Sequence, residues 1–175
     1  MPTDRTEDLR KGDEPTAASG AAFLSDEIST FLQSGLAIII GVVGPDGRAR
    51  TGRALAVRVV GPDHLRVLYP TVGNTDVTAT ARSGGPIAIT FSAPMSHRTL
   101  QVKASSCQGE DVEPEDRAVA QRQSDAFAGI LTALGYAPDF ARAISDDRSS
   151  TLCALSLRVE AAFEQTPGPG AGRSI

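Results

Sequence analysis

Two Gly-Pro-Asp turns, at residues 44–47 and 61–63, each separate strand-length runs of apolar and β-branched residues. Glycine supplies left-handed backbone, proline presets φ and aspartate bonds the nearby main chain, so this spacing commits the region to antiparallel hairpins. Residues 36–43 (LAIIIGVV) read as a first strand, of the kind buried on both faces. Residues 48–60 form its partner and residues 65–69 a third strand, which makes a meander.

Two further strands cover 87–92 and 97–106. The second of these has period two: Leu100, Val102 and Ala104 point to one face, and Thr99, Gln101, Lys103 and Ser105 to the other. One face can enter a core while the other offers an amide, an ammonium and hydroxyls. A sixth strand spans 151–163. Helices are expected where Ser25 caps Asp26 and Glu27 ahead of Ile28, Phe31 and Leu32, over 71–82 with Asn74 as a cap, and from Glu113-Pro114 to Gly135. The last of these has Val119, Phe127, Ile130, Leu131 and Leu134 as its apolar stripe, and a loop or short helical stretch follows over 138–147. Because strands arrive in runs and do not alternate with helices, the expected fold is mainly β with peripheral helices, a six-stranded antiparallel barrel in which closure removes exposed edges.

A chain of 175 residues, 41% hydrophobic, suits one domain, expected over 23–165. Residues 1–22 read as a disordered arm without the apolar stretch of a secretory signal, and 166–175 as a flexible Gly-Pro tail. With 17 Lys and Arg against 21 Asp and Glu, and no basic stripe, nucleic acid is not an expected partner; no run approaches the length of a membrane span. Cys107 and Cys153 lack metal-type spacing with His64 and His97, so free thiols and a cytoplasmic location are expected, with no metal site.

The order of these features resembles a known family. The first helix, the Gly-Pro-Asp-Gly-Arg hairpin tip, Arg53-Ala54-Leu55, the strand Ile-Ala-Ile-Thr-Phe-Ser, Arg98-Thr-Leu-Gln-Val-Lys103 and the closing Phe163-Glu164-Gln165-Thr166-Pro167 are together similar to the pyridoxamine 5'-phosphate oxidase-like group of FMN-binding split barrels. The resemblance covers about residues 23 to 168. It implies a split β-barrel, a homodimer with FMN at the subunit interface, and oxidoreductase activity on a small molecule. The chain departs from the better-known oxidases at 69–76, where a phosphate-gripping cation is replaced by Asp76, and no substrate-binding Arg and His pair stands near the C-terminus. Pyridoxamine phosphate itself is therefore not the expected substrate.

FMN would need cations and hydroxyls for its phosphate, donors for its ring edge and an apolar wall. Arg50, Thr51 and Arg53 on the second strand, Thr71 and Asn74 near a helix start, Tyr69 for stacking, and Gln101 and Lys103 for the ring edge are the candidate cofactor-binding residues. Arg53 shares its face with Leu55 and Val57, an awkward place for a guanidinium without an anion. His97, Arg98 and His64 read as turn residues, and no nucleophile and base pairing points to a catalytic side chain. The alternatives are a non-catalytic dimeric barrel that binds or senses a ligand, and a relative that uses F420 or haem in the same groove.

Overall fold

The computed structural model describes residues 23–44, 46–145 and 151–175. The arm expected over 1–22 lies outside the described residues. Helix α1 (Asp26–Leu32) is capped by Ser25, whose hydroxyl accepts from Ile28 N–H. Strand β1 (Ala37–Val43) then pairs with β2 (Ala49–Ala54) across the first turn, where Gly47 adopts φ 75°. After β3 (Ala56–Val59), β4 (His64–Pro70), α2 (Thr75–Ser83), β5 (Ile87–Ser92) and β6 (Thr99–Ala104) come β7 (Gln108–Glu110), α3 (Pro114–Ala133), α4 (Pro138–Ser145), β8 (Leu152–Arg158) and β9 (Ala161–Glu164).

The strands form two open antiparallel sheets, β2-β1-β5-β6-β9 and β3-β4-β8-β7. The six-stranded antiparallel split β-barrel expected from the sequence is therefore not what forms, because neither sheet closes on itself. The cause lies in the two longest expected strands. Residues 48–60 divide at Leu55, which sends β2 to one sheet and β3 to the other, and residues 151–163 divide between β8 and β9 in the same way. A short strand, β7, joins the edge of the four-stranded sheet without an alternating signal of its own.

The main core sits between the sheets. Ile38, Ile40, Ile89, Phe91, Leu100 and Val102 face Val57, Leu65, Val67, Tyr69, Leu155 and Leu157, all buried. Strand β4 is buried on both sides, since Leu68 packs with Val119 and Ala120 of α3 in a second cluster. Strand β1 is not: Ile38 and Ile40 are buried, but Ile39 is 42% and Val43 46% exposed on the other face. The expectation of a strand buried on both faces fails here because α3 and α4 cover only part of that face, Ala37 alone packing with their Phe127 and Leu131.

The free edge of β3 is closed by side chains. Buried Gln123 of α3 donates to Val57 C=O at 2.8 Å and accepts from Val57 N–H at 3.1 Å, and Gln33 accepts from Val59 N–H. Residues 166–175 turn back on β9, where Gly172 N–H bonds Glu164 C=O and Ile175 N–H bonds Ala162 C=O. No helix among the described residues is long and apolar enough to cross a membrane.

Candidate functional site

Strand β2 carries two kinds of side chain by alternation. Arg50, Gly52 and Ala54 pair with Val42, Ile40 and Ile38, whereas Thr51 and Arg53 pair with Gly41 and Ile39 on the outer face of the five-stranded sheet. The register continues across the sheet: Arg53, Ile39, Thr90, Gln101 and Phe163 form one row, and Thr51, Gly41, Ala88, Lys103 and Ala161 the next. Three strand spacings separate Arg53 from Gln101, roughly 14 Å.

A groove of about 720 Å³ opens at the β2 end of this face. Its walls come from Ile39, Thr51 and Arg53 on the sheet, Val72 and Gly73 in the turn after β4, and Ala143 and Ile144 of α4. Asn74 fixes the junction: it accepts from Arg53 N–H at 3.0 Å and donates to the carbonyls of Arg53 (3.1 Å) and Pro70 (2.8 Å). Only glycine fits opposite. A methyl group at Gly52 would lie 2.0 Å from Asn74 Oδ1.

Arg53 is half-buried on the groove wall, its guanidinium carbon 6.0 Å from the Phe127 ring centroid. Burial pulls its guanidinium below the ordinary range. No carboxylate among the described residues pairs with it. That is unusual in this molecule, where the other part-buried arginines are engaged: Arg58 with Glu113, Glu115 and Asp116, and Arg66 with Asp116 and Glu110. An unpaired, partly desolvated guanidinium is suited to receive an anion.

The other expected residues divide. Thr51 lines the groove beside Arg53, and Thr71 stands next to its lining residues Pro70 and Val72. Gln101 and Lys103 share the outer face but lie beyond the groove; Gln101 donates to Thr90 Oγ1 at 3.0 Å and Lys103 Nζ sits 4.7 Å from the Phe163 ring centroid. Arg50 is committed elsewhere. It bonds Asp46 at 2.9 Å and Asp76 at 3.0 Å, and the Asp46 contact raises its pKa further. Asn74 spends its amide on main chain and, although it stands at the α2 start, its side chain makes no capping bond. Tyr69 is 1% exposed between the sheets, where burial pushes its phenol up, so it offers no face for stacking.

Ile39, Gly52, Ala143 and Ile144 were not anticipated in the site. Ile39 is displayed because only one face of β1 is covered, and the α4 residues approach through packing remote in sequence. Only the lone glycine inside a strand pattern was a local signal of close backbone approach.

No family model matches this chain, and no curated protein does. Solved structures do. A candidate pyridoxamine 5'-phosphate oxidase from Lactobacillus delbrueckii is 17% identical, with 83% of this chain and 97% of that one covered and a TM-score of 0.50. HupZ of Group A Streptococcus is 15% identical, with 85% and 98% covered and a TM-score of 0.50. At such identities the likeness concerns fold, and it extends over nearly the whole length of both proteins. This chain has the fold of the pyridoxamine 5'-phosphate oxidase-like group.

Proposed function

We propose that the protein is a homodimeric FMN-binding oxidoreductase acting on a small molecule other than pyridoxamine phosphate. The observation that carries this reading is the Arg53 guanidinium, half-buried on the groove wall without a carboxylate among the described residues. An anion there offsets the cost of its desolvation. Arg53 and the Thr51 hydroxyl would hold the phosphate, the apolar wall of Ile39, Val72 and Ile144 would exclude water, and Gln101 and Lys103 would meet the ring. Bound FMN supplies the redox chemistry, and the chain binds and orients it.

Ile39 and Val43 support the dimer. They are exposed on the sheet face that continues from the groove, where a second copy would cover them.

The test is quenching of FMN fluorescence. Wild-type protein should quench it saturably, and Arg53→Ala should weaken binding at least tenfold. Absence of quenching at excess FMN would overturn the reading. One observation favours a second reading, a dimeric binding protein without turnover: Arg50 is held by Asp46 and Asp76, which leaves the groove a single free cation among the described residues. Reduction of the bound flavin by NADH or NADPH would exclude it.

A further inference from the structure

A second cleft, of about 460 Å³, lies away from the FMN groove, between the end of α2, the β6–β7 connection and the paired ends of β4 and β8. Its floor is apolar, from buried Ala81, Cys107 and Leu157. Its rim carries the guanidinium groups of Arg82 and Arg158 beside His64, Ser83, Ser106 and Gln108.

Two of these groups are oriented from behind. Asp63 receives Arg158 Nε at 2.6 Å on one carboxylate oxygen and meets His64 Nδ1 at 2.6 Å with the other. Each contact uses the nitrogen nearer the main chain. The terminal nitrogens of Arg158 and the Nε2 of His64 are thereby left without a partner among the described residues, on two strands whose Cα atoms pair directly. Asp63 is itself held well down in pKa, first by the Arg158 hydrogen bond and then by His64.

Arg82 supplies a further guanidinium, and no ion pair among the described residues engages it. It stands in the last turn of α2, where free carbonyls oppose an anion, and one of these carbonyls is covered. The Thr80 carbonyl is covered by Gly84 N–H, Gly85 N–H and the Ser83 hydroxyl. Asp63 therefore serves Arg158 and His64, and Arg82 has no acid of its own among the described residues.

We infer that this cleft is a second ligand site, which takes a phosphate group through the guanidinium groups of Arg82 and Arg158, with Asp63 as the positioning residue for Arg158. Planar guanidinium forks suit a tetrahedral oxyanion with several acceptors, and the apolar floor leaves room for a small organic remainder. The ligand class is inorganic phosphate or a small phosphate monoester.

The experiment is calorimetric titration of full-length protein with inorganic phosphate and, in parallel, glycerol 2-phosphate, repeated on FMN-saturated protein. Wild type should bind one equivalent saturably at this cleft with FMN present, the Arg53 groove then being filled; the tighter of the two probes identifies free ion or monoester. Arg82→Gln and Arg158→Gln should each weaken binding about tenfold. Arg53→Ala, whose groove has lost its cation, should keep that equivalent without FMN, so this outcome is separable from the fate of the FMN reading. Asp63→Ala should weaken binding although it removes a negative charge, with folding checked by circular dichroism. Failure of saturable binding, loss on FMN loading or in Arg53→Ala, or tighter binding in Asp63→Ala would each overturn the assignment.

Discussion

Asp116 shows how one residue can gather the charge of a whole layer. It is fully buried and accepts from Arg58, from Arg66 and from Glu113 N–H, the last as one half of a capping box that starts α3. Burial alone would raise its carboxyl, but the hydrogen bonds from Arg66, Glu113 and Arg58 hold it at about 2 against an ordinary 3.8. A folded-state pKa lowered in this way contributes stability that is complete above the ordinary value and is lost as pH falls from about 4 to about 2. The contribution is roughly 2 kcal/mol, measurable as a fall in unfolding free energy across that window. Replacing Asp116 with Asn should cost about 3–5 kcal/mol, because Arg66 would remain buried without its main counter-ion. A loss below 1 kcal/mol would mean that Glu110 and the Asp111 carbonyl, which also accept from Arg66, suffice. Cys107 belongs to the same scale: burial pushes its thiol up to about 11, so it should resist thiol reagents in folded protein at pH 8 and react on unfolding.

At the scale of elements, the site depends on how β2 is held where it leaves the five-stranded sheet. Leu55 N–H reaches Leu68 C=O while Asn74 straps Arg53, and the bend between them turns the outer face of β2 toward α4. Gly52→Ala should displace that strap and destabilise the protein by about 2 kcal/mol or more, seen as a lower melting temperature. Gln123→Leu removes both hydrogen-bond partners of Val57 on the β3 edge and should cost about 2–4 kcal/mol. The turns, the hairpin and most of the helix stripe were legible because they are local: Gly-Pro-Asp supplies its own backbone preference, and Val119, Phe127 and Leu131 repeat at helical spacing on buried positions, whereas Ile130 of the expected stripe is only part-buried and Leu134, at the helix end, is 44% exposed. The strand breaks at Leu55 and after Arg158 were not legible, since alternation runs through a bend without changing period. Thr51 and Arg53 could be assigned to one face by alternation alone. The engagement of Arg50 with Asp76 and the burial of Tyr69 depend on which sheet each strand joins, which alternation does not encode.

At the scale of the molecule, two open sheets share one core, and a groove with one free cation among the described residues lies on the face that leaves Ile39 and Val43 uncovered. Light scattering should give twice the 18.2 kDa chain mass, and Val43→Asp should shift the protein toward monomer while leaving the secondary structure intact. A wild-type monomer at micromolar concentration would remove the dimer from the account. The central claim, that Arg53 awaits the phosphate of a flavin, is tested most directly by comparing FMN with riboflavin, which lacks only that phosphate, in wild-type and Arg53→Ala protein. The account predicts that wild type prefers FMN by tenfold or more and that the preference largely disappears in the variant. An equal preference in both proteins would contradict it.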